Sequence, residues 1–310
     1  MNESLDARPA LRDDLPDVLG VFHAVDLDTA GETLLDAVDL DGFWSDPTFD
    51  ARTDSRVVRL DGRPVGAAAA FANGFARVDV VPDLCGHGLG TRLADWVEQR
   101  QRERGLAHCE QEAFETDART RTFLQARGYV PAHESWSLEL PADATIAERP
   151  LPDGIVVRPM RAGEEHAVHH VVEDAFNEWE GRTPRAFESW KALVLDRPGT
   201  TEDHLLVAVA GDEVVGACVG MDGESDDEYW VAQLAVRRDH RGRGIAQQLL
   251  AVSYGAARAC GRTRGRLDTD SRTGALSLYE RLGMHVTLSF TSFRKPLADP
   301  TPPADPTSAG

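Results

Sequence analysis

Two stretches of this chain repeat each other closely enough to restrict how it can fold. The segment VVPDLCGHGLGTRLADWVEQRQRERG at 80–105 aligns without a gap on VRRDHRGRGIAQQLLAVSYGAARACG at 236–261. The alignment places glycine on glycine at three spaced positions: Gly86 on Gly242, Gly88 on Gly244, and Gly105 on Gly261. Self-similarity of this length indicates that one structural unit has been duplicated. We therefore expect two copies of one domain.

The order of hydrophobic patterns is also the same in the two halves. In the second half it predicts a strand, two helices, three strands, a loop, a helix, a strand, a helix and a last strand. Residues 141–154 are rich in proline and poor in apolar residues, which is typical of a linker. The tail 298–310 is rich in proline and alanine and is predicted to be disordered. The predicted domains are therefore 1–140 and 155–297.

Composition narrows the class of protein. The formal net charge of −19 argues against nucleic-acid binding and suits a neutral or cationic small partner. No apolar run approaches the length that spans a bilayer, and the polar N-terminal segment does not resemble a signal peptide. The four cysteines are far apart in the sequence, which favours reduced thiols in the cytoplasm. We expect no membrane partner, and a monomer or a homodimer.

The stretch after the fourth predicted strand of the second half has the features of an anion site. Gly242 and Gly244 stand just before an amphipathic helix, whose first backbone N–H groups are free and carry the positive end of the helix dipole. Arg241 and Arg243 can add charge-assisted hydrogen bonds to phosphate oxygens. The P-loop pattern is excluded because no lysine follows the glycines, and the dinucleotide pattern is excluded because Gln247 replaces its third glycine. A pyrophosphate is the expected partner of this loop.

Arg241-Gly242-Arg243-Gly244-Ile245-Ala246 resembles the [QR]xxGx[GA] motif of the GNAT acetyltransferase superfamily, and the element order of each half resembles that fold. The resemblance implies an α/β (α+β) chain of two tandem GNAT domains, each a mixed, mostly antiparallel sheet flanked by helices. It implies that the amides of residues 241–246 bind the pyrophosphate of acetyl-CoA, the expected co-substrate. It also implies that the strand before the loop, at Leu234, Ala235 and Val236, pairs with the pantetheine arm. The N–H of Leu234 is then a candidate oxyanion donor.

A second family motif lies on the next predicted helix. RTGALSLYERLGM, 272–284, resembles the pattern NxxAxxLYExxGF, with Arg272 in the usual place of asparagine and Met284 in that of phenylalanine. The resemblance implies that Tyr279 is the general acid that protonates the leaving thiolate, and a phenol can do this. The first copy lacks both features, because Cys85 starts its loop and Leu124 or Ala126 stands at the tyrosine position. We therefore predict a degenerate first domain and catalysis in the second.

The residues for the acceptor are less sharply defined. The acidic run 222–228 precedes the strand of Trp230, which is a candidate acceptor residue. Glu228 is the candidate general base that takes the proton of the amine. Residues of the first helices of the second copy are candidates for the wall of the acceptor pocket: Glu178, Trp179 and Trp190. Helical spacing also allows a core role for them. His166 and His170 lie one helical turn apart without a third ligand, so no metal site is predicted.

The sequence therefore predicts an acetyl-CoA-dependent N-acetyltransferase that acts on a primary amine of a small molecule. Its layout is similar to that of the mycothiol synthase group, in which a degenerate domain precedes a competent one. Two alternatives stay open, a non-catalytic acyl-CoA-binding sensor or docking module and a protein lysine acetyltransferase. Tyr279 argues against pure binding, since a module that only binds acyl-CoA does not need a proton donor at this position.

Overall fold

The structure is a computed structural model that describes residues 5–179, 182, 184–197, 200–201, 204–223 and 225–297. The described chain separates into two compact units. Unit 1 contains 5–44, 48–132 and 291–297, and unit 2 contains 45–47 and 133–290. The predicted tail, 298–310, lies outside the described residues. None of the described helices is long and apolar enough to cross a membrane.

The first copy has the predicted order of elements, with one short additional helix, α3. Its elements are β1 (Leu5–Arg8), α1 (Leu15–Thr29), α2 (Ala37–Ser45), α3 (Ala51–Asp54), β2 (Ser55–Leu60), β3 (Arg63–Ala70), β4 (Ala76–Val80), α4 (Leu89–Glu103), β5 (His108–Phe114), α5 (Ala118–Ala126) and β6 (Val130–Leu140). Strands β1 to β4 form an antiparallel sheet in chain order. The apolar core of unit 1 includes Val57, Ala67 and Val97, which are fully buried.

The second copy follows the predicted order element by element. Its elements are β7 (Ile155–Pro159), α6 (Glu165–Phe176), α7 (Phe187–Val194), β8 (Leu205–Ala210), β9 (Glu213–Asp222), β10 (Glu228–Val236), α8 (Ile245–Ala259), β11 (Arg264–Asp270), α9 (Leu276–Arg281) and β12 (His285–Pro296). Within unit 2 the strands lie in the order β12-β6-β11-β10-β9-β8-β7. Strands β10 and β11 are parallel, whereas the pairs β6/β11, β9/β10, β8/β9 and β7/β8 are antiparallel.

The duplicated segment has the same local structure in both copies. Helices α4 and α8 each span 15 residues. Each begins directly after a glycine in the left-handed region, with φ of 84° at Gly88 and 85° at Gly244. This conformation is readily available only to glycine, which explains why the two glycines align in the sequence.

The two faces of the unit 2 sheet carry separate cores. On one face, Leu249 and Tyr254 of α8 pack with Tyr229, Leu267 and Tyr279. On the other face, Val168 of α6 and Trp190 of α7 pack with Val219 of β9 and Ala235 of β10. Because successive side chains of a strand point to opposite faces of the sheet, neighbouring residues contribute to different cores. We call these the α8 face and the α6/α7 face.

The division into units differs from the predicted domain boundaries within β6, in the predicted linker and within β12, and it assigns 45–47 to unit 2. From His133 onward β6 belongs to unit 2, because its residues 135–140 pair with β11. The predicted linker 141–154 belongs to unit 2 as well, and Ile146 is buried in the α8-face core. From Thr291 onward β12 belongs to unit 1, where Arg294 contacts Glu110 at 2.6 Å. The segment 141–154 contains no helix or strand, and its proline content did not reveal this packing.

Candidate functional site

The loop between β10 and α8 presents an open backbone. A short 3₁₀ turn, Arg238–His240, leads into Gly242, with φ of 74°, and then Gly244. No atom lies within 4 Å of the point where a Cβ on Gly242 would stand. Arg243 is exposed, Ile245 is buried at the start of α8, and Ala246 is partly buried. The free N–H groups of this first helical turn are accessible and suited to an anion.

Arg241 is held by two partners in this structure. Its Nε donates to the carbonyl oxygen of Val236 at 2.8 Å, and its two terminal nitrogens donate to the Glu178 carboxylate at 2.8 and 2.9 Å. The hydrogen bond from Arg241 lowers the pKa of Glu178. Glu178, predicted as an acceptor residue, therefore contacts the cofactor loop. Arg241 can reach a phosphate only by exchanging this partner.

A further arginine, Arg149, lies at this loop in addition to Arg241 and Arg243, and the sequence analysis did not identify it. The side chain of Arg149 lies against Gly244, with its Cδ 2.7 Å from the point where a Cβ would stand. The backbone N–H of Arg149 donates to Oε1 of Gln248 at 2.8 Å, and Nε2 of Gln247 donates to the carbonyl of Ala147 at 2.9 Å. Arg149 was missed because it lies in a proline-rich segment, where no periodic pattern marks a residue for function.

Strands β10 and β11 separate beside this loop. They pair from Glu228↔Arg264 to Val231↔Leu267, and no described strand pairs with that edge of β10 beyond this point. The pairing of β10 with β9 is shifted between Val231 and Gln233, which is the mark of a β-bulge. The sheet therefore opens between β10 and β11 on the side nearer the loop.

The backbone of β10 past the bulge faces this opening at alternate residues. The N–H of Arg237 donates to the carbonyl of Val215 on β9. Because alternate residues direct their backbone groups to the same side, Ala235 also faces β9, whereas Leu234 and Val236 face the opening. This orientation is the one that pairing with a pantetheine arm requires at Leu234 and Val236, whereas Ala235, which was predicted to pair with the arm as well, is engaged with β9 instead. The Val236 carbonyl is already in contact with Arg241.

Tyr279 lies on α9 in the α8-face core and is only 7% exposed. Burial, with a smaller contribution from Cys218, raises its pKa to about 12. The phenol is therefore protonated at neutral pH, as a proton donor must be. Among the described residues, none forms a hydrogen bond with its hydroxyl group. The side chain can thus donate to a group placed in the opening without breaking an existing protein contact.

The predicted acceptor residues are distributed between the core and the edge of the α6/α7 face. Trp190 is fully buried and its indole N–H donates to Gln233 at 2.9 Å, so it is a core residue of this face. Trp179 stacks on Phe176 and lies 4.7 Å from the guanidinium of Arg272. Trp230 is partly buried and packs against the α6/α7-face core. Helical spacing could not separate these cases, as core and pocket residues share one stripe.

Glu228 is buried, with 8% of its surface exposed, and faces two arginines. Its carboxylate lies 3.4 Å from Arg266 and 4.0 Å from Arg264. In the acidic run that precedes it, Glu224 lies outside the described residues, and Asp222 is paired with Arg262 at 2.9 Å. The candidate base Glu228 is therefore an ion-paired side chain. In the acidic run 222–228, the charge of Asp222 is likewise balanced by an arginine.

Another carboxylate stands nearer to the opening and was not singled out in the sequence. Asp268 follows Leu267, the last residue of β11 that pairs with β10, and its side chain is exposed. Desolvation by the surrounding protein atoms raises the pKa of its carboxyl, although the residue as a whole is exposed. The repeated motif DTDSRT, 268–273, was the available signal, but it served only to align the copies.

The first copy retains the shape of the loop without its chemistry. Gly86 and Gly88 have φ of 83° and 84°, as in the second copy. Cys85 directs its sulfur to the Val80 carbonyl at 3.6 Å, in the place that Arg241 takes beside Val236. Leu124 is fully buried, so no phenol stands at that position. Within the described chain, no group of three or more His, Cys, Asp or Glu residues is arranged to hold a metal ion.

Comparison with known proteins places both copies in one family. Residues 25–129 and 165–284 match the profile of the acetyltransferase (GNAT) family. The fold is similar to a GCN5-related N-acetyltransferase from Sphaerobacter thermophilus, with a TM-score of 0.75 and 27% identity over 94% of this chain and 96% of that one. A search of the curated proteins found no significant match.

Two further structures share the fold at lower identity. One is a tandem GNAT protein from the clavulanic acid biosynthesis pathway, with a TM-score of 0.70 and 19% identity over 95% of this chain and 99% of that one. The other is the glucosamine N-acetyltransferase region of a fungal multi-domain β-N-acetylglucosaminidase, with a TM-score of 0.69 and 17% identity over 95% of this chain and 38% of that one. Together with the family match, these likenesses confirm the predicted fold class, the tandem arrangement and an acyltransferase enzyme.

Proposed function

Because the chain belongs to the acetyltransferase (GNAT) family, we propose that its second copy transfers an acetyl group from acetyl-CoA to a primary amine of a small molecule. The observation that carries this proposal is the convergence of three features in unit 2. The sheet opens between β10 and β11, the glycine loop adjoins the end of β10, and a protonated phenol lies on the α8 face.

The residues of the loop fit the phosphate groups of acetyl-CoA. Gly242 leaves space where a side chain would stand, and the first turn of α8 offers free N–H groups to the pyrophosphate. Arg243 is exposed beside them, and Arg241 becomes available when it leaves Glu178. The backbone of Leu234 and Val236 then aligns the pantetheine arm, and the N–H of Leu234 stabilises the negative charge that develops on the thioester oxygen.

Tyr279 completes the reaction from the α8 face. Attack by the amine nitrogen forms the new C–N bond, and the C–S bond breaks to release a thiolate. The phenol donates its proton to this sulfur and is then reprotonated from solvent. A small acceptor is favoured because Trp230 and Trp179 offer aromatic surface on the α6/α7 face, while Asp226 keeps an exposed negative charge at the start of β10.

The test is detection of the product by mass spectrometry. The protein is incubated with acetyl-CoA and a panel of amines: an aminoglycoside, glucosamine, a cysteinyl sugar, a polyamine and a lysine peptide. The proposal predicts a mass gain of one acetyl group on a small amine, with loss of this product in Tyr279→Phe. Acetylation of the lysine peptide alone would overturn the acceptor class. Binding of acetyl-CoA without any product would favour the non-catalytic alternative.

A further inference from the structure

Asp268 stands where the sheet of unit 2 opens. Its neighbour Leu267 forms the last pair with β10, and Leu267 is 2% exposed in the α8-face core. Since side chains alternate along a strand, Asp268 is directed to the α6/α7 face. Trp230 of β10 is on the same face and packs against that core. The carboxylate and Tyr279 therefore lie on opposite faces of the sheet.

The groups that surround Asp268 set its charge. Burial by the surrounding protein and the negative charge of Glu228, from β10, raise its pKa. Ser137 of β6 and Trp230 of β10 oppose this through hydrogen bonds, and Arg266 opposes it through its positive charge. From α8, the hydroxyl of Tyr254 also interacts with Asp268. A carboxylate with a raised pKa is a better proton acceptor than one in water.

Glu228 is less suited to accept a proton from a substrate. It is buried, and Arg266 and Arg264 lie on its carboxylate. A proton that arrives there would have to compete with the positive charges of Arg266 and Arg264 for this carboxylate. Asp268 is exposed, so a substrate nitrogen can reach it and a proton can leave it for water.

We propose that Asp268 is the catalytic base of the acetyl transfer, and that it takes the proton of the attacking nitrogen on the α6/α7 face while Tyr279 serves the sulfur on the α8 face. The inference rests on the proposed function. It assigns to Asp268 the role that the sequence predicted for Glu228. Glu228 then acts as a positioning residue, whose charge and whose contact with Arg266 adjust the proton affinity of Asp268.

The protons balance as follows. The amine attacks as the free base, and in the tetrahedral intermediate its nitrogen carries a positive charge and is a far stronger acid than the starting ammonium. Asp268 accepts one proton from this nitrogen. Tyr279 donates one proton to the sulfur as the C–S bond breaks. Asp268 then releases its proton to water and Tyr279 regains one, so that amide, CoA thiol and one solvent proton result from a protonated amine and the thioester.

The experiment measures kcat/KM against pH for the best acceptor of the amine panel. Wild type is expected to lose activity as pH falls through the pKa of Asp268, because the protonated carboxyl cannot accept a proton. Asp268→Asn should lower kcat/KM by about 100-fold and abolish the acid limb of the pH profile, which is this decrease in activity at low pH. The Kd for acetyl-CoA should stay within about twofold, since the carboxylate does not contact the loop. Asp212→Asn, at an exposed turn between β8 and β9, is the matched control and should behave as wild type.

Glu228→Gln separates the two carboxylates. If Asp268 is the base, this variant moves the acid limb to lower pH, because the lost charge of Glu228 no longer raises the pKa of Asp268. If the limb instead disappears in Glu228→Gln and survives in Asp268→Asn, Glu228 is the base and the inference is overturned. External formate should restore part of the activity of Asp268→Ala, and lack of rescue together with an intact limb would also overturn it.

Failure of the proposed function has a different signature. In that case wild type acetylates no amine of the panel, and the role of Asp268 falls with it. If only the inference about Asp268 fails, wild type is active and Asp268→Asn keeps both its rate and its acid limb. A melting temperature close to that of wild type shows that either variant is folded.

Discussion

Replacing Tyr279 with phenylalanine should remove most of the acetyl transfer without weakening the fold of unit 2. No described residue bonds to the Tyr279 hydroxyl, so its loss leaves no protein group unpaired, and we expect the free energy of unfolding to change by less than about 0.5 kcal/mol. Loss of the proton donor should lower kcat by about 100-fold, which corresponds to about 2.7 kcal/mol of transition-state stabilisation. Acetyl-CoA affinity should be unchanged.

Tyr229→Phe is the matched control, because it removes the same atom from the same core. The Tyr229 hydroxyl bonds to Oγ of Ser253 at 2.9 Å, and Ser253 is 1% exposed. Its removal takes away a buried hydrogen bond and should destabilise the protein by about 1 kcal/mol, a decrease of about 2–4 °C in melting temperature for a unit of this size. The rate should stay within about twofold of wild type.

The assay combines single-turnover kinetics with thermal melting of both variants. We expect opposite effects in the two variants: Tyr279→Phe should be slow but as stable as wild type, and Tyr229→Phe should be active but less stable. Two results would refute the reasoning. One is a Tyr279→Phe variant with wild-type turnover, and the other is an equal loss of rate in both variants, which would indicate a general effect of core packing.

Two further predictions concern the loop that we propose to bind acetyl-CoA. Glu178→Gln should lower the Kd of acetyl-CoA by about two- to threefold at low salt, because Arg241 is released from an exposed ion pair, and the gain should vanish at high salt. Unchanged affinity at low salt would show that Arg241 does not contact the cofactor. Arg149→Ala should raise this Kd by about three- to tenfold, since the side chain lies over Gly244 where a phosphate would bind. Tighter binding by this variant would show instead that Arg149 obstructs the loop; calorimetry measures both constants.

The repeat and the loop could be predicted because their signals are local. Gly242 and Gly244 are required by backbone conformation, so the sequence marks them wherever the helix begins. The element order follows from periodicity, which each segment carries by itself. The orientation of Leu234 and Val236 toward the opening also agrees with the family pattern, since the backbone of a strand alternates in a fixed way.

The acceptor side could not be predicted in the same way, because it depends on register between strands distant in sequence. Asp268 lies directly after the point at which β10 stops pairing with β11, and the sequence pattern of neither strand predicts that point. Trp190 was a pocket candidate by composition, yet the fold buries it completely. Glu228 was selected for its place on the strand, before the arginines of β11 were known to face it.

The most direct test of the central claim, that acetyl-CoA is used in the second copy and not in the first, is the acetyl-transfer rate of Gly244→Ala against that of Gly88→Ala. Both positions have nearly the same left-handed φ, so both variants carry a similar backbone strain of about 1–2 kcal/mol; in Gly244→Ala the flexible side chain of Arg149 must also shift, whereas a Cβ on Gly88 meets open space. The account predicts a loss of about 5- to 30-fold in kcat/KM for Gly244→Ala, as strain of this size displaces the loop amides, and a change within about twofold for Gly88→Ala. An equal or larger loss in Gly88→Ala would contradict it.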